Sequence, residues 1–501
     1  MRLLRRNALG VYAVYAAAIV SGLVVTPVVI HSIGKSAFGV WSFIGSVTIY
    51  LSVLDFGVGP SIVRFAAEAH GRSAPDDINE VASTGLAMYA VIGLVTLPIG
   101  LALAWIVPIA VGAPHNLVWD ARVTTVLVVV SLALRFPLGL FNNLLVARQR
   151  WDVQNLANFI STVLYALLVV LLLPRWGGIV LLGALTLATT VVRLALPLAW
   201  LRRELPELRI ARRFVSRARL RALTVFSSSN FLVHIAQKIV FSTDVVVVGI
   251  VLGSAASGVY SVPAKLFALV FGIGTAATSL MFPAFAELQG TGDTDRQRRL
   301  LLVGLRAGSA LMLLLALPLL LIPDLLIHAW IGGGFHQSYA VMAILAGVLL
   351  IHQPIYVLTQ FLIAVGRQRS IAIVSIVTTL VNLALSFVLA WTWGILGVAV
   401  STLVTDVVAL AWIVPQIAAP AAVTPAWSLV RAAVRPVLPA AVAAAVVLGA
   451  VARLWGPQTL LALTPLGLLW AAVGAAAMWW FGLAASERAQ FAREFVGRRA
   501  A

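Results

Sequence analysis

The chain has 501 residues, of which 61% are hydrophobic and only 10% charged. At a mean hydropathy of +1.03 it carries more apolar surface than a soluble fold can hide, so lipid must act as its solvent and the water-soluble classes are excluded. The formal charge of +18 invites a nucleic-acid reading, but the basic residues alternate with apolar runs and do not gather on one face, so no nucleic-acid partner is expected. Cysteine is absent, which removes disulfides, thiolate metal sites and cysteine nucleophiles.

A helix crosses the hydrocarbon core with roughly 20 apolar residues. On that measure roughly fourteen transmembrane helices are expected, near 7–31, 39–66, 81–110, 121–147, 153–174, 178–201, 222–250, 257–286, 300–323, 337–364, 371–391, 395–418, 434–453 and 460–483. The fold class is an all-α polytopic membrane protein. Arg2, Arg5 and Arg6 precede the first apolar run as in a signal peptide, but the run continues to Ile30, too long for a signal core, so it reads as an uncleaved helix. With the N-terminus in the cytoplasm, one set of links carries Arg72, Arg148, Arg150, the dense series from Arg202 to Arg221, Arg296, Arg367 and Arg431. The other side keeps only Lys35, Arg122, Arg175 and Arg453. Both termini are therefore expected in the cytoplasm. The link 202–221 suits an interfacial segment on anionic lipid; helix orientation alone, or docking of a cytoplasmic partner, are the other readings.

The chain repeats itself. A shift of 219 residues places Gly34 on Gly253, Gly39-Val40-Trp41-Ser42 on Gly258-Val259-Tyr260-Ser261, Phe65-Ala66-Ala67-Glu68-Ala69-His70-Gly71 on Ala284-Phe285-Ala286-Glu287-Leu288-Gln289-Gly290, and Arg148-Gln149-Arg150 on Arg367-Gln368-Arg369. The matched polar turns carry the most weight, because apolar matches arise easily from a small alphabet. The expected organisation is an N-lobe of helices 1–6 (1–201), a basic cytoplasmic linker (202–221), a C-lobe of helices 7–12 (222–418), two added helices (419–485) and a cytoplasmic tail (486–501). An even number of spans per copy makes the repeats parallel, with a cleft between two rocking bundles, a carrier's architecture.

An ionisable group at bilayer depth is expensive and normally faces a cavity or a partner. Arg64, Arg135, Arg193, Lys238 and Lys265 fall within apolar spans, as do Asp55, Asp244 and Asp406. Ser227, Asn230, His234 and Lys238 recur at helical spacing and share one face, which should look into the cleft. The substrate-binding set read from these patterns is Arg64, Arg135, Arg193, Asn230, His234, Lys238 and Lys265. Arg64 has snorkelling to a helix end as its alternative, as does Arg306. Asp55, Asp244 and Asp406 are read as ion-coupling or hinge groups. Asp55 sits in Leu54-Asp55-Phe56-Gly57-Val58-Gly59-Pro60-Ser61, where two glycines and a proline predict a kink. Further polar stripes, Gln353/Tyr356/Gln360 and Ser375/Thr378/Asn382/Ser386, have helix–helix hydrogen bonding as their bland reading. Deep cations exceed deep acids, which suits an anionic cargo such as a diphosphate better than a cationic drug. No glycine-rich phosphate loop and no metal-ligand spacing of His and acids is present, so an ATPase or a metal cofactor is not expected.

Leu54-Asp55-Phe56-Gly57 followed by Arg64-Phe65-Ala66-Ala67-Glu68 resembles the second-helix signature of the Wzx-type polysaccharide-biosynthesis flippases, in the superfamily that also holds MATE exporters and lipid II flippases. Ile33–Trp41 and its counterpart Leu252–Ser261 are similar to that family's first link. The resemblance implies paired six-helix lobes in the bacterial inner membrane. It also implies a cargo of undecaprenyl-diphosphate-linked oligosaccharide moved to the outer leaflet for O-antigen, lipopolysaccharide or exopolysaccharide, and antiport with a proton or sodium gradient in place of any cofactor. Polymerase and other polysaccharide-assembly proteins are the implied partners. The alternatives are an ion-coupled small-molecule exporter, and a membrane glycosyltransferase, polymerase or ligase on the same lipid carrier. The enzyme would need a sizeable outer loop, and none is visible, so no catalysis is expected.

Overall fold

The computed structural model describes residues 2–239, 243–279, 281–435 and 460–477 with a few single positions between 438 and 450; the side chains of 2–9, 229–239 and several positions past 409 are outside that description. Helices account for all regular structure among the described residues. In lipid every backbone polar group must be satisfied within the protein, and a helix does so within its own segment. The chain divides into two compact units, Met1–Ser261 and Val262–Ala501.

The first unit holds α1 (Arg2–Leu51), α2 (Val58–Gly71), α3 (Pro75–Ala110), α4 (Val118–Ala147), α5 (Trp151–Trp176), α6 (Ile179–Glu204), α7 (Arg217–Ile239), α8 (Thr243–Leu252) and the first residues of α9 (Ser254–Ser279). The link expected at 32–38 shrinks to one hinge, Gly34 at φ 78°, inside α1. The apolar run Gly10–Gly71 is 62 residues long, about 93 Å of helix and well beyond one hydrocarbon thickness, so it crosses more than once. The core of this unit gathers Ile62, Val81, Leu140, Leu144 and Leu145 where α2, α3 and α4 meet. Leu94, Leu171 and Val191 are exposed on the outside, the surface expected where lipid is the solvent.

The second unit continues α9 and adds α10 (Met281–Thr291), α11 (Thr294–Leu321), α12 (Pro323–Ile331), α13 (His336–Ala364), α14 (Gln368–Trp393), α15 (Ile395–Val408), α16 (Val414–Ala421), α17 (Ala426–Val434) and α18 (Leu460–Ala477). Phe285, Leu305, Val357 and Phe361 form its core. Two expected spans are interrupted among the described residues, that near 39–66 between α1 and α2 and that near 395–418, and two more run across residues outside the description. The one near 257–286 holds α9 and α10, with residue 280 outside the description. The one near 395–418 is α15 and α16 around a π-helical turn, Ala409–Ile413, because Pro415 offers no N–H to the turn before it. The one near 222–250 is α7 and α8; residues 240–242 are outside the description.

Among the described residues nine helical runs are long and apolar enough to cross a membrane, or ten if Val414–Ala421 and Ala426–Val434, bent by 110°, count as one. Most of the span expected at 434–453, and the end of that at 460–483, lie outside the described residues.

The repeat is legible in the helix ends. The shift that places Gly34 on Gly253, both at positive φ (78° and 87°), also places the start of α3 on the start of α11. Arg148 donates to the carbonyl of Glu204 at the end of α6. Its repeat mate Arg367 donates to Ile417 O within α16 at 3.1 Å, so in each copy this arginine bonds a backbone carbonyl of a later helix. By sequence α7 and α8 open the second copy, yet they pack within the first unit.

Candidate functional site

The site begins with the break before α2. Ser52–Asp55 tightens to a 3₁₀ turn, and Phe56 and Gly57 follow in the left-handed region at φ 48° and 74°. Glycine carries that conformation without strain, whereas at phenylalanine it costs on the order of 1–2 kcal/mol. Pro60 then falls in the first turn of α2, where it removes no helix hydrogen bond. The expected kink is thus a full interruption, and it turns Asp55 inward.

Asp55 lines a chamber of 740 Å³ inside the first unit. Arg64 comes from α2, Tyr89 from α3, Arg135, Asn142 and Asn143 from α4, Trp151, Gln154 and Asn158 from α5, and Arg193 from α6. Three arginines face one carboxylate. The Tyr89 hydroxyl accepts from Asn143 Nδ2 at 3.3 Å and lies within reach of Asp55. Arg64 is exposed and holds its guanidinium 4.4 Å over Phe226 and 5.4 Å from the Phe65 ring centre, which fixes it at the chamber wall. Neither Arg135 nor Arg193 makes a hydrogen bond or ion pair among the described residues. Asp55 is the opposite charge that acts on Arg135, while Arg193 feels the like charge of Arg135. Asn142 Oδ1 and Gln154 Oε1 are buried without a partner. Three cations against one carboxylate, beside unmet acceptors, form a surface suited to an anion carrying hydroxyl groups.

Of the residues read from the sequence, the structure brings Asp55, Arg64, Arg135 and Arg193 to one chamber, which lies within a unit. Asn230, His234 and Lys238 stand on α7, and their side chains are outside the described residues. Lys265 is half-buried and belongs to the second unit, so it does not line this chamber. The Asp244 carboxylate, read as an ion-coupling group, is buried and accepts from the Tyr260 hydroxyl at 2.7 Å; beside it Thr243 and Tyr50 bond at 2.7 Å, so this network ties α8 to α1 and α9. Asp406 faces His352 Nδ1 at 2.8 Å. The sequence reading missed His352, because it followed the face of Gln353. Gln353 is a structural residue, donating to Gly274 O at 3.1 Å and Thr278 Oγ1 at 2.6 Å. Asn382 and Ser386 bond Thr402 and Ser401, so that stripe joins α14 to α15. The link 202–221 lies as a strap on α3. The backbone N–H groups of Arg209, Ala211 and Ser216 donate to Asn79, Ser83 and Thr84, and Arg219 forks onto Glu80.

Residues 4–289, more than half the chain, match the family model described as polysaccharide biosynthesis protein. An uncharacterized membrane protein, EpsK of Bacillus subtilis (strain 168), is 24% identical over 375 residues, covering 73% of this chain and 72% of that protein. Among solved structures, the lipid II flippase MurJ in an inward closed conformation aligns over 98% of this chain and 100% of its own, with a TM-score of 0.72 and 12% identity. An inward-facing multidrug resistance MATE family transporter of the MOP superfamily aligns over 81% and 94%, with a TM-score of 0.70 and 14% identity. At those identities the structural likeness establishes the fold.

Proposed function

The chain belongs to the polysaccharide biosynthesis protein family, and from that premise we propose that it is a flippase moving undecaprenyl-diphosphate-linked oligosaccharide from the cytoplasmic to the outer leaflet of the bacterial inner membrane. The observation that carries this reading is the chamber where Arg64, Arg135 and Arg193 meet one carboxylate. A diphosphate supplies the missing counter-charge, and bidentate arginine contacts fit its oxygens. Charge surplus of that sign repels the cationic compounds a drug exporter would carry. The fold shared with a lipid II flippase supports the same class of movement.

The His352–Asp406 pair, in contact at 2.8 Å between α13 and α15, supports coupling to a proton gradient, since His and acidic side chains paired within membrane helices are the usual material of proton relays. The chamber binds the head group, and alternating access between the two sides moves it.

Deletion followed by analysis of lipid-linked intermediates on each face of the inner membrane tests the reading. Accumulation of the lipid-linked oligosaccharide on the cytoplasmic face with loss of surface polysaccharide is the expected outcome. Normal polysaccharide with raised drug sensitivity would assign the exporter, and outer-face accumulation of single unpolymerised units would assign the enzyme.

A further inference from the structure

Behind the arginine chamber lies a second one. It measures 590 Å³, is also built within the first unit, and shares Arg135, Asn158 and Arg193 with the first. The two divide the same three helices. On α4 the first chamber uses Gly139 to Val146 and the second Val128 to Leu132; on α5 the first uses Trp151 to Ala157 and the second Ser161 to Tyr165; on α6 the second uses Thr186 to Thr190. From Val128 to Val146 the lining runs about 27 Å at 1.5 Å per residue, close to the roughly 30 Å of a hydrocarbon core. Arg135 and Arg193, common to both linings, therefore form a partition midway between two stacked chambers.

The chemistry changes at the partition. The second chamber is lined by hydroxyls, among them Ser131, Ser161, Tyr165, Thr186, Thr189 and Thr190. Several already donate their proton to a carbonyl of their own helix: Ser131 to Val128 O at 2.7 Å, Thr186 to Leu182 O at 2.8 Å, Thr189 to Leu185 O at 2.7 Å, and Ser161 to Ala157 O. A hydroxyl bonded in this way still offers lone pairs. The chamber wall is consequently rich in acceptors, and it has guanidinium donors only at the partition. A bare anion has no use for such a wall, whose apolar members, Val14, Trp41, Val128 and Leu132, suit the carbon faces of a sugar ring. A polyol whose hydroxyls donate, joined to an anion held at the partition, satisfies both ends.

We propose that this second chamber is the sugar subsite: the diphosphate of the cargo rests on Arg135 and Arg193, and the first sugar residues extend past them to donate hydrogen bonds to the threonine and serine oxygens. This rests on the flippase reading above and adds to it the place and the polarity of the glycan.

The test compares two probes on the purified full-length protein in lipid nanodiscs, undecaprenyl diphosphate and undecaprenyl-diphospho-N-acetylglucosamine. The Thr186→Val, Thr190→Val double variant keeps the branched shape of both side chains and removes two acceptors. The wild type is expected to bind the sugar-bearing lipid more tightly. The double variant should lose about tenfold for that lipid, the effect of two neutral hydrogen bonds, and nothing for the bare lipid, which also reports that the variant is folded. Arg193→Gln should weaken both probes. A wild type that binds the bare lipid but gains nothing from the sugar, or a double variant that weakens both lipids equally or neither, overturns the subsite alone. A wild type that binds neither lipid overturns the flippase reading and the subsite with it.

Discussion

At the scale of single residues, Arg135 and Arg193 have no hydrogen-bond or ion-pair partner among the described residues, unlike two other arginines of the first unit. Arg150 is held by Asp152 at 3.0 Å, and Arg219 by Glu80 at 2.8 Å. Arg135 and Arg193 have neither, although each lies near the middle of a membrane-crossing helix. On the proposed reading, the diphosphate of the cargo supplies that partner. Replacing either with Gln should reduce translocation about 10- to 100-fold, the size of one lost charge-assisted hydrogen bond, with unchanged protein level, measured by restoration of surface polysaccharide in a deletion strain. The His352–Asp406 pair predicts a different phenotype. His352→Gln and Asp406→Asn should each remove the dependence of transport on an imposed proton gradient while head-group binding persists; unchanged gradient dependence in vesicles would remove the pair from the coupling step. The arginines were legible because a charge in an apolar run stands out by residue type. His352 was not, because its partner lies on another helix and no local spacing signals the contact.

At the scale of elements, the devices are a break, a crossing and a strap. The break before α2 depends on Gly57 at φ 74°. Gly57→Ala should lower stability by about 1–2 kcal/mol and displace Asp55, read as a lower Tm in detergent together with weaker head-group binding. At the crossing of α1 with α9, Gly39 and its repeat mate Gly258 face each other so closely that a Cβ on either would overlap backbone of the other segment. Without a hydrophobic force separating helix from lipid, such close backbone packing holds membrane helices together. Gly39→Ala or Gly258→Ala should each lower the Tm by an amount equivalent to about 1–3 kcal/mol. The strap is a third case. Its arginines pointed to anionic lipid, and Arg209, Arg212, Arg213 and Arg217 are indeed exposed, but backbone bonds to Asn79, Ser83 and Thr84 fix its path. Glu80→Gln with Asn79→Ala should speed tryptic cleavage after Arg209 to Arg213, and an unchanged rate would deny the strap its anchoring role.

At the scale of the molecule, the sequence by itself determined the class. Hydropathy needs no tertiary information, because a segment of some 20 apolar residues finds its solvent in lipid whatever its neighbours do. The repeat was equally legible, since the Arg-Gln-Arg turns and Gly34/Gly253 keep their identities in both copies; the structure gives Gly34 and Gly253 the same positive φ, whereas the positive φ of the two Arg-Gln-Arg turns falls on Gln149 in one copy and on Gly366 in the other. Helix breaks were legible only where glycine and proline coincide, as before α2; the π turn ahead of Pro415 was not. Tertiary structure alone decided which deep charges meet. Arg64, Arg135 and Arg193 come from α2, α4 and α6 and face one space, whereas Asp244 is bonded to Tyr260 and Asp406 to His352. A one-dimensional pattern fixes how costly a buried charge is and which face of its own helix it takes. Whether that face meets an acid, a tyrosine or an empty chamber depends on which helices pack beside it, and that is settled by contacts between residues far apart in the chain.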